Sequence, residues 1–225
     1  MIEREGSAIG LPPSWEFPQE DYQKLGFIQD RVREELSEMH SMGYDPREIG
    51  NFQFVIADTI YRCSELLGVP GPLLKVGSGR TGNGQNYDAL SSWLSDETHV
   101  IEISNTYIGN VLAGLWKPRP RRRIQALKEF VFDGVIRYTD MFPQAFLTMH
   151  PARIISHEIH HNWNRIINPQ QSFEDGHVFA TGINNLWEQT PSEKGAVEFS
   201  RSYVVNYLSK IGKLRKKIYL DLMLK

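Results

Sequence analysis

The amino-acid sequence predicts a mainly helical α+β domain, with a small antiparallel sheet ahead of the helix that carries its most informative motif. Two segments with helical periodicity, three short β-rich segments and a His-Glu-x-x-His pattern lead to this prediction. The chain has 225 residues and a hydrophobic content of 40%, which suffices to bury one sizeable core. We therefore predict a single domain over 1–225, with 105–149 as an insertion and 210–225 as a basic amphipathic tail.

Charge and cysteine content argue against several classes of protein. The formal net charge of -2 disfavours a globally basic nucleic-acid-binding protein. The single cysteine, Cys63, excludes an internal disulfide and is typical of a reducing compartment. Residues 1–5 are acidic and polar with no apolar run behind them, so no secretory signal is predicted. No stretch approaches the roughly 18 apolar residues that span a bilayer, and we expect a cytoplasmic protein without a membrane partner.

Two amphipathic helices are predicted first. Apolar residues recur at helical spacing over 18–42, and Gly43 is placed to end that helix. Asp45-Pro46 forms a good N-cap and first-turn pair for the second helix, which ends at Gly68. Cys63 falls on the apolar stripe of this helix, so we expect a buried structural thiol and not a nucleophile.

Three β-rich segments follow, Leu73–Val76, Tyr87–Leu94 and Thr98–Ser104. The turn residues Ser95-Asp96-Glu97 join the last two into a hairpin, and an antiparallel sheet is expected. The intervening stretch 77–84 is rich in glycine but lacks the Gly-Lys-Ser/Thr ending of a phosphate-binding loop. It is interpreted as an ordinary loop.

The middle of the chain carries a basic run, Lys117–Arg123, before a predicted helix over 124–138. Such a run can contact phosphates or an acidic partner. No aromatic residues alternate with the charges as a single-strand binding surface would require, so a solvated loop is favoured. Nucleic-acid binding through this run and the basic residues of 210–217 remains an alternative.

The motif His157-Glu158-x-x-His161 is predicted to lie on a helix over 153–165, with Pro151 in its first turn. Residues i and i+4 share one helix face, so both imidazoles can bind one metal ion. Glu158 lies beside them, where it can act as a base on a water molecule. His160 points about 100° or more away from each histidine, and we assign it no metal role.

A third ligand must come from elsewhere in the chain. The metzincin pattern is excluded, because Asn164 stands at its glycine position and Ile167 at its last histidine. A glutamate on a later helix is the other common solution. The acidic candidates after the motif are Glu174, Asp175, Glu188, Glu193 and Glu198.

Glu193 is the best of these candidates. The sequence Thr190-Pro191-Ser192-Glu193 opens a strong amphipathic helix that continues to about residue 209, and Glu193 is centred on its apolar stripe. Glu198 lies roughly 140° away on the same wheel and is expected to face solvent. A capping box between Thr190 and Glu193 is the competing interpretation, and Glu188 is the reserve ligand.

The two motifs together resemble those of the ImmA/IrrE-type metallopeptidases, a zincin-like, gluzincin-type family. The matching residues are His157-Glu158-x-x-His161 and Glu193-x-x-Ala196-x-x-Phe199-Ser200. The resemblance covers 45–210 loosely and implies Zn²⁺ at His157, His161 and Glu193, with Glu158 as base. It also implies a bacterial or phage setting and a regulatory target such as a helix-turn-helix repressor. Lit-like phage-exclusion proteases share the same motifs and are the second choice.

The sequence thus predicts a zinc metallopeptidase that hydrolyses a peptide bond in an intracellular regulatory or defence-related protein. Tyr203, Tyr207 and His177 are candidates for an additional electrophile. A catalytically inactive, zinc-stabilised regulatory or protein-binding module is the alternative of a different class. The presence of Glu158, which a structural zinc site does not need, favours the enzyme.

Overall fold

The computed structural model describes residues 19–37, 46–82, 84–112, 143–181 and 184–204. These residues form a mainly helical α+β fold. The helices are α1 (Gln19–Glu35), α2 (Pro46–Leu67), α3 (Asn105–Leu112), α4 (Pro143–Ile167), α5 (Pro169–Ala180), α6 (Asn184–Trp187) and α7 (191–204). The strands are β1 (Leu73–Gly77), β2 (Ala89–Trp93) and β3 (His99–Ser104). The basic run 117–123, the predicted helix 124–138 and the tail 210–225 lie outside the described residues. Among the helices described, none is long and apolar enough to cross a membrane.

The sheet is mixed, so the prediction of an antiparallel sheet is wrong in part. The predicted hairpin is confirmed: β2 and β3 pair antiparallel, with Trp93 opposite His99. Strand β1, however, pairs parallel with β3, giving the order β1-β3-β2. Strand β3 is therefore central, which agrees with the burial of Val100, Ile101 and Ile103. Pairing direction depends on the path of the chain between strands, which local patterns do not encode.

The core is built around α2, which packs against α1, α3 and α4. Its buried apolar residues are Ile49, Phe52, Val55, Ile56, Ala57, Ile60, Tyr61 and Cys63. The prediction of a buried thiol at Cys63 is confirmed, since its side chain is fully buried in the core. This burial raises the pKa of the thiol well above its ordinary value. Helix α3, at the start of the predicted insertion, also contributes to the core through Tyr107, Ile108, Val111 and Leu112.

Helix α4 begins eight residues earlier than the position predicted from Pro151, since it starts at Pro143 and keeps Pro151 in its interior. An interior proline lacks the amide that would donate to the carbonyl four residues earlier, and it typically costs about 3 kcal/mol. Packing against α2 offsets this loss, because Ala152, Ile155 and Ile159 are fully buried just after the proline. Tertiary burial therefore overrides the local signal.

Candidate metal centre

Helix α4 places His157 and His161 one turn apart on a single face. Their Nε2 atoms lie 3.0 Å apart, and their rings meet edge to face with centroids 4.7 Å apart. The helix is held in this orientation because Ile155 and Ile159, on its other side, are buried in the core. The face with the histidines borders a cleft, as the spacing of four residues predicts.

Helix α7 brings the Glu193 carboxylate to the two histidines. Its Oε2 atom lies 3.3 Å from Nε2 of His157 and 3.3 Å from Nε2 of His161. Ligand atoms about 2.1 Å from a tetrahedral zinc ion lie about 3.4 Å from one another, so these separations suit a shared ion. Within the described ranges, this is the one group of three His, Cys, Asp or Glu residues whose ligand atoms all lie within 4.8 Å of one another. The three residues therefore fit a metal ion.

The surroundings favour an ionised carboxylate between the imidazoles. The side chains of His157, His161 and Glu193 are only 17%, 11% and 16% exposed. Burial raises the pKa of Glu193, but hydrogen bonds and charges from both histidines outweigh it and hold that pKa far below its usual range. Burial lowers the pKa of His157, but contact with Glu193 and the charge of Glu158 raise it above its ordinary value overall. A bound cation would take the place of the protons that these hydrogen bonds require, and it would interact with the Glu193 carboxylate and both imidazole nitrogens.

Glu193 does not cap its own helix with its carboxylate. The Thr190 hydroxyl accepts a hydrogen bond from the Glu193 amide at 3.3 Å, which is the first half of a capping box. The second half is absent, because the Thr190 amide donates to the Trp187 carbonyl at 2.9 Å. The Glu193 carboxylate is therefore free to contact the histidines. The competing capping interpretation is correct only for the Glu193 backbone amide, which donates to the Thr190 hydroxyl.

Glu158 lies in the same cleft as the three candidate ligands. It is 8% exposed, and its negative charge contributes to the raised pKa of His157. The cleft has a volume of about 850 Å³, which is within the usual size of a ligand-binding pocket. One wall consists of β2 and the residues just before it, and the other consists of α5, α6 and the start of α7. Glu158 and Glu193 are thus two carboxylates facing one cavity.

Strand β2 holds the motif helix through two side-chain hydrogen bonds. The Ser91 hydroxyl donates to the Glu158 carbonyl at 3.0 Å, and the Trp93 indole donates to Asn162 Oδ1 at 3.0 Å. Because the one hydroxyl proton of Ser91 is used in this way, His99 donates its Nε2–H to the Ser91 oxygen, 3.0 Å away. These bonds fix the orientation of α4 along the length of the motif.

The remaining acidic candidates and His160 do not join the candidate metal group. Glu188 is exposed at the cleft, and Glu198 is exposed on α7, as predicted. His160 is buried between the rings of Trp163 and Phe199, with centroids 4.9 and 5.1 Å from its own. Burial, assisted by the charges of the two neighbouring histidines, lowers the pKa of His160 to about 4. It is a neutral packing residue at pH 7.

The candidate electrophiles lie away from the cleft or outside the described residues. His177 is exposed on α5, where its ring meets Phe173 edge-on. Tyr203 is buried in the core, and burial raises its pKa well above its ordinary value. Tyr207 falls outside the described residues. Of the described residues, neither His177 nor Tyr203 lines the cleft.

Two cleft residues have roles that the sequence did not reveal. His150 lines the cleft two turns before His157, and its Nδ1 atom lies 3.0 Å from the Tyr107 hydroxyl. His150 and His157 are seven residues apart and so lie on one face of a continuous helix. This spacing indicates that His150 faces the cleft, provided that the helix is known to continue through Pro151. Asp175 appeared only as a candidate ligand, yet its carboxylate accepts a hydrogen bond from the backbone of α7.

No family model, no curated protein and no solved structure matches this chain. The resemblance to ImmA/IrrE-type metallopeptidases therefore stays a prediction that rests on the two motifs. The function is therefore inferred from the chemistry of the site itself.

Proposed function

We propose that this protein is a zinc-dependent metallopeptidase with a zincin-like active site. The observation that supports this most directly is the approach of His157 Nε2, His161 Nε2 and Glu193 Oε2 to within 3.3 Å of one another. Two imidazoles and one carboxylate are the ligand set of many catalytic zinc sites, in which a fourth position stays open for water or substrate. Bound to these three residues, a zinc ion would supply Lewis acidity and would lower the pKa of a bound water to about 7.

Glu158 is the proposed general base. Its carboxylate lies in the cleft that the ligands line, and its backbone is fixed by the Ser91 hydroxyl. It takes the proton of the attacking water and then passes this proton to the leaving amine. The same carboxylate therefore acts first as the base and then as the acid. A purely structural zinc site needs no such group, so Glu158 favours turnover over an inactive zinc-stabilised module.

A peptide is the proposed substrate class. Strand β2 is at the end of the described sheet, pairing with β3 on one side, and Ala89, Leu90, Ser91 and Trp93 line the cleft. An unpaired strand edge offers backbone donors and acceptors to an extended peptide. The motif resemblance adds the proposal that this peptide belongs to an intracellular regulatory or defence-related protein, such as a transcriptional repressor. A cytoplasmic setting fits the single buried thiol of Cys63.

The deciding experiment measures bound zinc by mass spectrometry in protein purified without chelators, together with cleavage of a proteome-derived peptide library. We expect about one zinc per wild-type chain, retention of zinc with loss of cleavage in Glu158→Gln, and loss of zinc in His157→Ala and Glu193→Ala. Glu188→Ala is the matched control, since it removes a cleft carboxylate outside the ligand group.

Three results would contradict all or part of the proposal. Wild-type protein that neither carries zinc nor takes it up would exclude the metal centre. Cleavage by Glu158→Gln at the wild-type rate would exclude Glu158 as the base. Retention of zinc in Glu193→Ala together with loss of zinc in Glu188→Ala would show that Glu188, and not Glu193, is the third ligand.

A further inference from the structure

Asp175 is a buried carboxylate with two well-defined partners. It lies on α5 and is only 4% exposed. Its Oδ2 atom accepts the Ser192 amide at 2.9 Å, and its Oδ1 atom accepts the Gln171 side-chain amide at 2.8 Å. A charge this deeply buried is costly unless it is hydrogen-bonded, so these contacts account for its position.

The partner of Asp175 is the first turn of α7, which carries Glu193. Amides in a first helical turn have no partner within the helix. Here the Thr190 hydroxyl takes the Glu193 amide, and Asp175 takes the amide of Ser192. From the other side, Asn164 on α4 donates from Nδ2 to the Ser192 hydroxyl at 2.6 Å. Helices α4 and α5 therefore both hold the residue next to the proposed third ligand.

The negative charge of Asp175 also favours the binding of a metal ion near the N-terminus of α7. The N-terminus of a helix carries about half a positive charge, which disfavours a metal ion bound by a first-turn side chain. Glu193 is the third residue of α7, so the ion would lie beside that positive end. A carboxylate accepting the Ser192 amide offsets the unfavourable field, and it also fixes the direction in which the helix starts.

We propose that Asp175 is a positioning residue for the metal centre, which holds the first turn of α7 so that the Glu193 carboxylate reaches His157 and His161. This inference rests on the proposed zinc site but not on peptidase activity. Hydrogen-bonded groups behind metal ligands typically change metal affinity by about 10- to 100-fold when they are removed.

The test is zinc affinity, measured by competition with a chromophoric chelator at fixed pH. We expect Asp175→Ala to bind zinc about 10- to 100-fold more weakly than wild type. Glu174→Ala is the matched control, because it removes the same charge from the next position of α5, where the side chain is exposed and contacts Gln170. Its affinity should equal that of wild type. If Asp175→Ala does not fold, Asp175→Ser replaces it, since serine is polar but too short to reach the Ser192 amide.

A double-mutant cycle separates positioning from a general loss of stability. Glu193→Ala is expected to lose its zinc during purification, but it keeps the two histidines, so its weaker zinc affinity can still be titrated. If Asp175 acts through Glu193, then Asp175→Ala in this background should change that affinity by less than about threefold. An equal loss in both backgrounds would overturn the proposal, as would unchanged affinity of Asp175→Ala. Failure of wild type to bind zinc would overturn the proposed function and this inference together, whereas normal wild-type binding with no effect at Asp175 would overturn this inference alone.

Discussion

His99 is a buried, neutral histidine behind the candidate metal centre. It is 4% exposed, stacks on Trp93 with ring centroids 5.4 Å apart, and donates to the Ser91 hydroxyl. Burial, with smaller contributions from the charges of His161 and Arg165, lowers its pKa to about 3. In the unfolded chain a histidine titrates near pH 6.5. The folded and unfolded states therefore differ in proton uptake by His99.

This difference predicts acid sensitivity in the metal-free protein. As the pH falls below about 6.5, the unfolded state binds a proton at His99 while the folded state, with its pKa of about 3, does not. Stability from this residue is complete above pH 6.5 and should decrease by about 2 kcal/mol between pH 7 and pH 5. Urea unfolding with a chelator at each pH measures it. Between pH 7 and pH 5, the free energy of unfolding of His99→Gln should fall by about 2 kcal/mol less than that of wild type.

His177→Gln is the matched control for the His99 measurement. His177 is exposed on α5, so its ring is open to water in the folded and the unfolded chain alike. The comparison shows which effects come from the change of histidine to glutamine itself and which depend on the buried position of His99. An identical slope in His99→Gln and wild type would show that the acid sensitivity has another origin.

At the scale of the elements, α4 and α7 approach each other at Gly195. A Cβ atom added there would lie 3.1 Å from His160 Cε1, which is closer than ordinary van der Waals contact. The absence of a side chain at Gly195 therefore lets α7 pack directly on α4. Because Glu193 is two residues earlier on α7, this contact also affects its distance from the histidines.

Replacing Gly195 by alanine should be worse than the same change elsewhere in a helix. Gly50 in α2 is the matched position, since an added Cβ there has nothing within 4 Å. Gly50→Ala should stabilise the protein by about 0.5 to 1 kcal/mol through helix propensity. Gly195→Ala should forfeit this gain and lose about 1 kcal/mol or more to crowding. Urea unfolding compares the free energies of unfolding of the two variants. Equal stabilisation would mean that the His160 side chain can move aside without loss of stability.

The helices could be predicted from sequence where their signals are local. The second helix is delimited by Asp45-Pro46 and Gly68, and its observed range Pro46–Leu67 matches. Helix α5 is not evident from the sequence, because Gly176 and its acidic neighbours resemble a loop, although Asn168-Pro169 provides the same kind of start signal. The direction of β1 and the continuation of α4 through Pro151 depend on contacts between distant segments, which periodicity does not contain.

At the scale of the whole molecule, the candidate metal centre joins two parts of the cleft. The motif helix packs on α2 and β2, while Glu193 belongs to the wall made of α5, α6 and the start of α7. The sequence could predict that His157, His161 and Glu193 meet in one group, because helical wheels show which side chains face inward. It could not predict the groups that orient them, Ser91 and Asp175, because those bonds depend on how separate elements meet.

A ligand that binds only the folded state stabilises it by mass action, so zinc should stabilise the whole protein. At a free zinc concentration 100 times the dissociation constant, the gain is about 2.7 kcal/mol, or about 5 to 10 °C in melting temperature. Calorimetry with and without a chelator measures this shift. It should persist in Glu188→Ala and vanish in His157→Ala, and an equal shift in His157→Ala would place the zinc elsewhere.

The distance in sequence between His161 and Glu193 gives the centre a topological consequence. An ion bound to both would act as a cross-link that closes residues 162–192, including α5 and α6, into a loop. Tying off a segment of this length removes conformational freedom from the unfolded chain worth on the order of 3 to 4 kcal/mol, as for a disulfide. The proposed ion would thus tie the motif helix α4 to the cleft wall made of α5, α6 and the start of α7, in a chain whose single cysteine cannot form an internal disulfide.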